Sequence, residues 1–361
     1  MKKLIANIGV VAVAGMVSTA AQAADTLSIV SWGGAYTESQ TKAYHEPWTK
    51  KTGDKIINVD KSQAALAGLR AQVQANNVTW DVVDMLPSEA QIACDEGLVD
   101  IIDADKVLAA APDGTPASKD FISGALGECF VASIVYSNIV AFNTEMFKGK
   151  MPSTIADVFD LKGFPGKRAL QKKPINNLEW ALMADGVPAA KVYEMLGTEA
   201  GIQRAFAKLD TIKDQVIWWE EGAQPPQLLA DKEVAFGSGY NGRIFNAAVN
   251  EKQPFKIIWD AQVFELDGWV IPKGKMAKVK GYLKFATDTQ RLADQAKYIS
   301  YGPARASSAA LVSTHLATGI EMKPHMPTYG PNFKTALPKD DGFWADHLDE
   351  LTERFNAWLA K

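Results

Sequence analysis

Apolar and polar positions change period repeatedly along the chain, and each change marks an element. Thr26-Leu27-Ser28-Ile29-Val30-Ser31 alternates as a strand does and runs straight into Trp32-Gly33-Gly34. The spacing of Gln40, Ala43, Tyr44 and Trp48 then predicts a helix, kinked or split at Pro47, which has no N–H to donate. Lys55 to Val59 reads as a second strand and Ala64 to Ala75 as a second helix. Trp80 to Met85 reads as a third strand, ending in the loop Leu86-Pro87-Ser88-Glu89. Strand–helix–strand alternation implies parallel pairing with right-handed crossovers.

Residues 131–143 form an unusually long β-prone run, a candidate to cross between two lobes. The α/β pattern restarts beyond it. Turn-rich Leu161 to Arg168 leads into a strand, and Leu178 to Asp185 is a helix. Glu233 to Phe236 is a further strand opening into Gly237–Arg243, and Gly268 to Gly274 reads as a return strand. From about His347 the last helix sets Leu348, Leu351, Phe355, Trp358 and Leu359 on one face, which predicts packing on a lobe. With no repeat and no Gly/Ser linker, the pattern is two α/β lobes joined by strands, closing as a hinge about a shared cleft.

The N-terminus changes the picture of where the chain works. Met1-Lys2-Lys3, the apolar stretch Leu4 to Val17 and Ala21-Gln22-Ala23 have the layout of a cleaved secretion signal over residues 1–23. The apolar run is too short for a spanning helix, and no cysteine at the junction offers a lipid anchor. The alternative is a buried N-terminal helix. Secretion implies a periplasmic protein. Losing Lys2 and Lys3 and no acid takes the net charge from −4 to −6, which argues against a nucleic-acid partner. Roughly 340 remaining residues suffice for two packed domains. In an oxidising compartment the two cysteines, Cys94 and Cys129, are expected as a disulfide closing a loop of about 35 residues. Two buried free thiols are the other reading.

Candidate chemistry is sparse. There is no G-x-S-x-G elbow, H-E-x-x-H pair or phosphate-binding loop, and Gly33-Gly34 lacks the dinucleotide fingerprint. His45, His315, His325 and His347 are not spaced as metal ligands and read as surface or capping residues. Neither a metal nor a cofactor is expected. Acids are plentiful, so a carboxylate pair serving a periplasmic hydrolase of small amides or glycosides stays an alternative. Aromatic residues stand out instead: Trp32, Trp80, Trp218, Trp219, Tyr240, Trp259 and Trp269 all fall at or near strand ends. Some are core; the rest lie where open α/β sheets bind ligands and can face an ammonium group.

In order and spacing, these segments resemble the periplasmic solute-binding proteins of the spermidine/putrescine class, components of ABC importers. The resemblance rests on Ser31-Trp32-Gly33-Gly34-Ala35-Tyr36, the long strand near Tyr136–Asn143, and Thr154–Gly163. It continues through Tyr240-Asn241-Gly242-Arg243 and Asp267–Gly274. It implies the type II periplasmic-binding-protein fold, with two α/β lobes joined by two crossing strands. The expected division is 24–135 plus 268–312 for one lobe and 136–267 plus 313–361 for the other. It further implies a monomer that takes a small molecule and delivers it to an inner-membrane ABC permease.

The family's amine-binding acid falls at Asp267, with a hairpin-turn role as the alternative. Its aromatics fall at Trp32 and Tyr240. Two departures narrow the ligand. Arg243 stands where polyamine binders carry a small residue, and Gln171–Asn177, containing Lys173 and Asn176, lacks the acids that hold a second amine. Asp267 with Arg243 complements a zwitterion, the arginine fork suiting a carboxylate. That points toward a γ-aminobutyrate-binding subgroup, taking an ω-amino acid or betaine; a polyamine is the alternative ligand. Arg243 could instead form an inter-lobe salt bridge with Glu220, Glu221 or Glu265. Ser31, Ser88, Glu89 and Gln224 complete the candidate set as loop residues facing the cleft.

Overall fold

A computed structural model describes residues 24–361, so the expected signal segment 1–23 lies outside the described residues. Eight strands carry the architecture: β1 (Thr26–Ser31), β2 (Lys55–Asp60), β3 (Val82–Met85), β4 (Val131–Asn143), β5 (Arg168–Gln171), β6 (Val216–Trp219), β7 (Phe236–Tyr240) and β8 (Phe255–Val270). Their order is β2-β1-β3-β8-β4-β7-β5-β6. β1 lies parallel to β2 and β3, and β5 parallel to β6 and β7, as the strand–helix alternation predicts. The antiparallel ladders are those of β4 and β8, which pair with each other from Val131 opposite Trp269 to Asn143 opposite Phe255.

These two strands carry the chain between two hydrophobic cores. One gathers residues from Leu27 to Ala132 with Trp269 to Ala304; the other gathers Val140 to Val263 with Leu337 to Trp358. The fold is two-lobed α/β with a continuous sheet running through the crossing. At mid-crossing the ladder steps from Asn138–Val263 to Val140–Ile258, so β8 bulges. In the bulge Ala261 holds a φ of 58°, a left-handed conformation unusual for an L-residue. Its N–H donates to Thr335 Oγ1 and its carbonyl accepts from Trp180 Nε1, which pins the kink.

Several elements differ from the sequence pattern for identifiable reasons. At Pro47 the helix neither stops nor kinks sharply: Thr41–His45 widens into a π-turn, with the Glu46 N–H reaching the Thr41 carbonyl. The further strand expected at Glu233–Phe236 is β7, Phe236–Tyr240, because Gly237 and Gly239 pack their bare backbone against Leu229 and Pro225. The return strand ends at Val270, and its larger part is the unforeseen Phe255–Asp267. Ser88 and Glu89 lie in the first turn of the helix Pro87–Asp95 rather than in a loop. The last helix starts at Asp341 and buries Trp344, Leu351, Phe355 and Trp358, whereas Leu348 is exposed. His45 and His315 are buried, not at the surface; desolvation pushes the His45 imidazole down to about 4. Cys94 and Cys129 form the disulfide, tying the helix Pro87–Asp95 to the entrance of β4 across 35 residues. Among the described residues no helix is long and apolar enough to cross a membrane, and no cluster has the makings of a metal site.

Candidate ligand-binding site

Where β4 and β8 cross, a cavity of about 470 Å³ opens between the lobes, within the size range of small-molecule sites. Its first wall comes from the end of β1. Gly33 and Gly34 have φ of 77° and 58°, conformations open to glycine, and turn the chain sharply into the helix Gly34–Gln40. That turn aims Trp32 and, one turn on, Tyr36 at the cavity. The Trp32 indole N–H donates to Asp267 Oδ1 at 3.1 Å. Asp267 sits on β8 opposite Ile134 and is 3% exposed. The next residue must be glycine: a Cβ on Gly268 would stand 2.2 Å from the Val131 carbonyl oxygen, where β8 meets β4.

The opposite wall is the end of β7 and the helix that follows, Asn241–Val249. Tyr240 lines the cavity. Asn241 is buried and knits three segments together, accepting from the Ser137 N–H and donating to the Ser300 carbonyl. Gly242 leaves room for Tyr301, whose ring a Cβ would approach to 2.5 Å. Arg243 then reaches the cavity from the first helical turn. The short motif thus places two rings and a guanidinium. With Tyr136 from β4 the rings form a frame: Tyr36–Tyr301, Tyr136–Tyr301 and Tyr136–Tyr240 have centroids 5.9, 6.3 and 5.9 Å apart. Their faces suit an ammonium group.

Charge is distributed unevenly around this frame. Burial, reinforced by Asp84 behind it, holds the Asp267 carboxyl well above the usual carboxylate range. Burial would push Glu265 up as well, but Lys339 and then Lys173 hold it below its usual range. Glu265 is hydrogen-bonded by Lys339 and by Asn138 Nδ2 at 2.8 Å. Half-buried Lys173 is pushed below the usual ammonium range by desolvation. Of the acids expected as alternative partners of Arg243, Glu220 pairs with Lys172 and Glu265 with Lys339, while exposed Glu221 forms no ion pair among the described residues. Among the described residues Arg243 forms no ion pair.

Of the residues singled out in the sequence, Trp32, Tyr240, Arg243 and Asp267 share this one cavity. Ser31 does not reach it; its buried hydroxyl donates to Gln40 Oε1 at 2.6 Å. Ser88 and Glu89 lie beside Leu86, which lines the wall, but do not line it themselves. The Gln224 side-chain oxygen accepts from the backbone N–H groups of Glu220 and Glu221 at 2.8 and 2.9 Å, shaping the loop that presents those acids. Trp80 and Trp269 are core residues; Trp218 packs on Phe355 and Trp358, Trp219 donates to Ser238, and Trp259 packs beside Phe255. Sequence reasoning missed Tyr136, Tyr301 and Lys339. Tyr36 was within reach, because it follows Trp32 at helical spacing.

A model of the family described as bacterial extracellular solute-binding proteins matches residues 43–328. The γ-aminobutyric acid-binding protein of Pseudomonas aeruginosa is 36% identical over 347 residues, covering 95% of this chain and 94% of that protein. Among solved structures, a GABA receptor is 33% identical with a TM-score of 0.75, covering 93% of this chain and 98% of its own. An ABC transporter substrate-binding protein from Bradyrhizobium japonicum is 28% identical with a TM-score of 0.79, covering 92% and 99%. MotA from A. tumefaciens, bound to glucopine, is 30% identical with a TM-score of 0.77 over the same shares.

Proposed function

We propose a ligand and a task for this protein: the chain belongs to the bacterial extracellular solute-binding proteins, and its cleft captures a small zwitterionic amine such as γ-aminobutyrate for an ABC importer. The ammonium group enters the aromatic frame and pairs with Asp267; the carboxylate meets Arg243. The observation that carries this reading is a buried carboxylate without a cationic partner and a guanidinium without an acidic one, both lining one cavity. Each would gain a charge-assisted hydrogen bond on ligand entry. A relative and a solved neighbour whose names specify γ-aminobutyrate support the choice.

The protein works in the periplasm, after loss of residues 1–23, as a monomer that docks on an inner-membrane permease. Its lobes are 24–135 with 268–312 and 136–267 with 313–361, a division supported by the membership of the two cores. A diamine is the second reading, favoured by Glu220 and Glu221 on the cavity wall. A thermal-shift and calorimetric screen with γ-aminobutyrate, 5-aminovalerate, glycine betaine, putrescine and spermidine separates them. Saturation at a hundredfold excess over Kd stabilises the folded state by about 2.7 kcal/mol. A response confined to putrescine or spermidine removes Arg243 from the ligand site. Recovery of the bound ligand unchanged after long incubation distinguishes a binder from a hydrolase.

A further inference from the structure

Behind Asp267 the first lobe buries a second carboxylate that ligand pairing does not use. Asp84 lies on β3 opposite Trp269 of β8 and has no exposed surface. Gln40 Nε2 donates to its Oδ2 at 2.9 Å, and the Tyr36 hydroxyl donates to its Oδ1 at 3.1 Å. Tyr36 stands between the two acids: it donates to Asp84 and also favours the charged form of Asp267. The donors are themselves aligned: Thr37 Oγ1 donates to Ser31 Oγ, and Ser31 to the Gln40 side-chain oxygen, which turns the amide nitrogen toward Asp84. Among the described residues neither carboxylate has a lysine or arginine partner.

The surrounding elements supply no compensating charge. Tyr44 from the π-turn, Tyr136 from β4, Tyr282 from the helix Met276–Ala286 and Tyr301 all face the pair, and burial raises each phenol so that it stays neutral. Glu265, on β8 itself, is neutralised by Lys339. His45 lies behind Tyr282 and is uncharged near neutral pH. Arg243 acts on the neighbouring Tyr301 and forms no ion pair with either acid. Two buried carboxylates bridged by one hydroxyl, with no cation, cannot both ionise at low cost. Asp84 accepts from Gln40 and Tyr36, whereas Asp267 faces the cavity; the shared proton therefore resides on Asp267.

We propose that Asp84, acting through Tyr36, keeps Asp267 protonated in the empty cleft, so that capture of an amine releases one proton to solvent. This rests on Asp267 receiving the ligand's ammonium group. The step balances: the ammonium arrives with its own proton, the Asp267 carboxylic acid gives its proton to water at the cleft mouth, and an ammonium–carboxylate pair remains. Asp84 is then a positioning residue that makes the site demand a cation, since a neutral ligand cannot displace the proton. Affinity for an amine rises with pH while the pair is losing its last proton and is flat above that range. Below it, affinity falls about tenfold per pH unit.

Calorimetry near neutral pH, in two buffers of different ionisation enthalpy, counts the protons released by γ-aminobutyrate and by putrescine. The expected result is about one proton per bound amine. Asp84→Asn should bind the same amine with no proton release and a flattened pH profile. Equal enthalpies in both buffers for the wild type, or an unchanged profile in Asp84→Asn, overturn the proposal. Infrared titration of the ligand-free protein tests it without any ligand. A protonated-carboxyl band near neutral pH that vanishes in Asp267→Asn supports it; absence of that band refutes it. If Asp84→Asn does not fold, Tyr36→Phe breaks the bridge and should shift the same band, and an unmoved band overturns the role of Tyr36. Binding of putrescine alone would sink the zwitterion reading and leave the proton count standing, so the two failures are distinguishable.

Discussion

The two ends of the cleft handle charge in opposite ways. At the Asp267 end the protein buries two acids among neutral donors: an indole, a phenol and an amide. At the Arg243 end it neutralises its own acid, Glu265, with Lys339 and leaves a guanidinium and Lys173 on the wall. One end therefore holds acids without a cation, and the other a guanidinium without an ion pair, its wall acids Glu220 and Glu221 standing exposed to solvent. The lesson is that ligand polarity can be set by what each end leaves uncompensated, more than by how many charges it carries. A buried pair that is already matched, such as Glu265 with Lys339, contributes shape and little attraction.

That contrast can be broken at either end. Asp267→Asn removes the lone acid and should weaken every amine ligand about a thousandfold, close to 4 kcal/mol, by calorimetry. Persistence of tight binding would place the ammonium elsewhere. Lys339→Met strips the partner from Glu265 and leaves a buried carboxylate unmatched. Chemical denaturation should then show a loss of about 3 kcal/mol. Arg243→Ser should cost γ-aminobutyrate about 2 kcal/mol, some thirtyfold, while sparing putrescine. Equal losses for both ligands would make Arg243 structural.

The smallest effect sharpens the contrast by probing the packing behind the acid end. Buried His45 holds its pKa near 4 against 6.5 unfolded, so it stays neutral in the fold while the unfolded chain takes up a proton. Its contribution is complete above the unfolded value and is lost as pH falls toward the folded one. Unfolding free energy should drop by about 1 kcal/mol one pH unit below the unfolded value, and His45→Gln should flatten that slope.

What was legible in the sequence follows from the range over which each signal acts. β1 and β4 were readable because alternation and a long β-prone run are local patterns. The upstream part of β8 was not, since Lys256, Asp260, Gln262 and Glu265 interrupt its apolar positions, and the partners of the last three come from residues far along the chain. Trp32, Tyr240, Arg243 and Asp267 could be named because they sit in ordered short motifs, the first three at strand ends and the last within β8. Lys339 and Tyr301 carry no such mark. They reach the site only because the last quarter of the chain folds back over the crossing, where Leu337 pairs beside Val263 and Gly302 beside Val135. Gln224 shows the converse: expected in a loop facing the cleft, it opens the helix Gln224–Ala230, and its side chain holds the preceding loop by accepting from the Glu220 and Glu221 N–H groups.

The placement of Asp267 on a crossing strand has a kinetic consequence. The acid lies on a strand that crosses between the lobes, whereas Arg243 stands on the helix after β7, on the jaw that the proposed capture would move. An amine can therefore dock at Asp267 while the jaws stand apart, and encounter frequency is governed there. On the proposed pairing, Arg243 would engage once the jaws have met and act as the latch whose strength fixes how long the catch is held. Ligands sharing an amine but differing at the other end should arrive at similar rates and depart at very different ones.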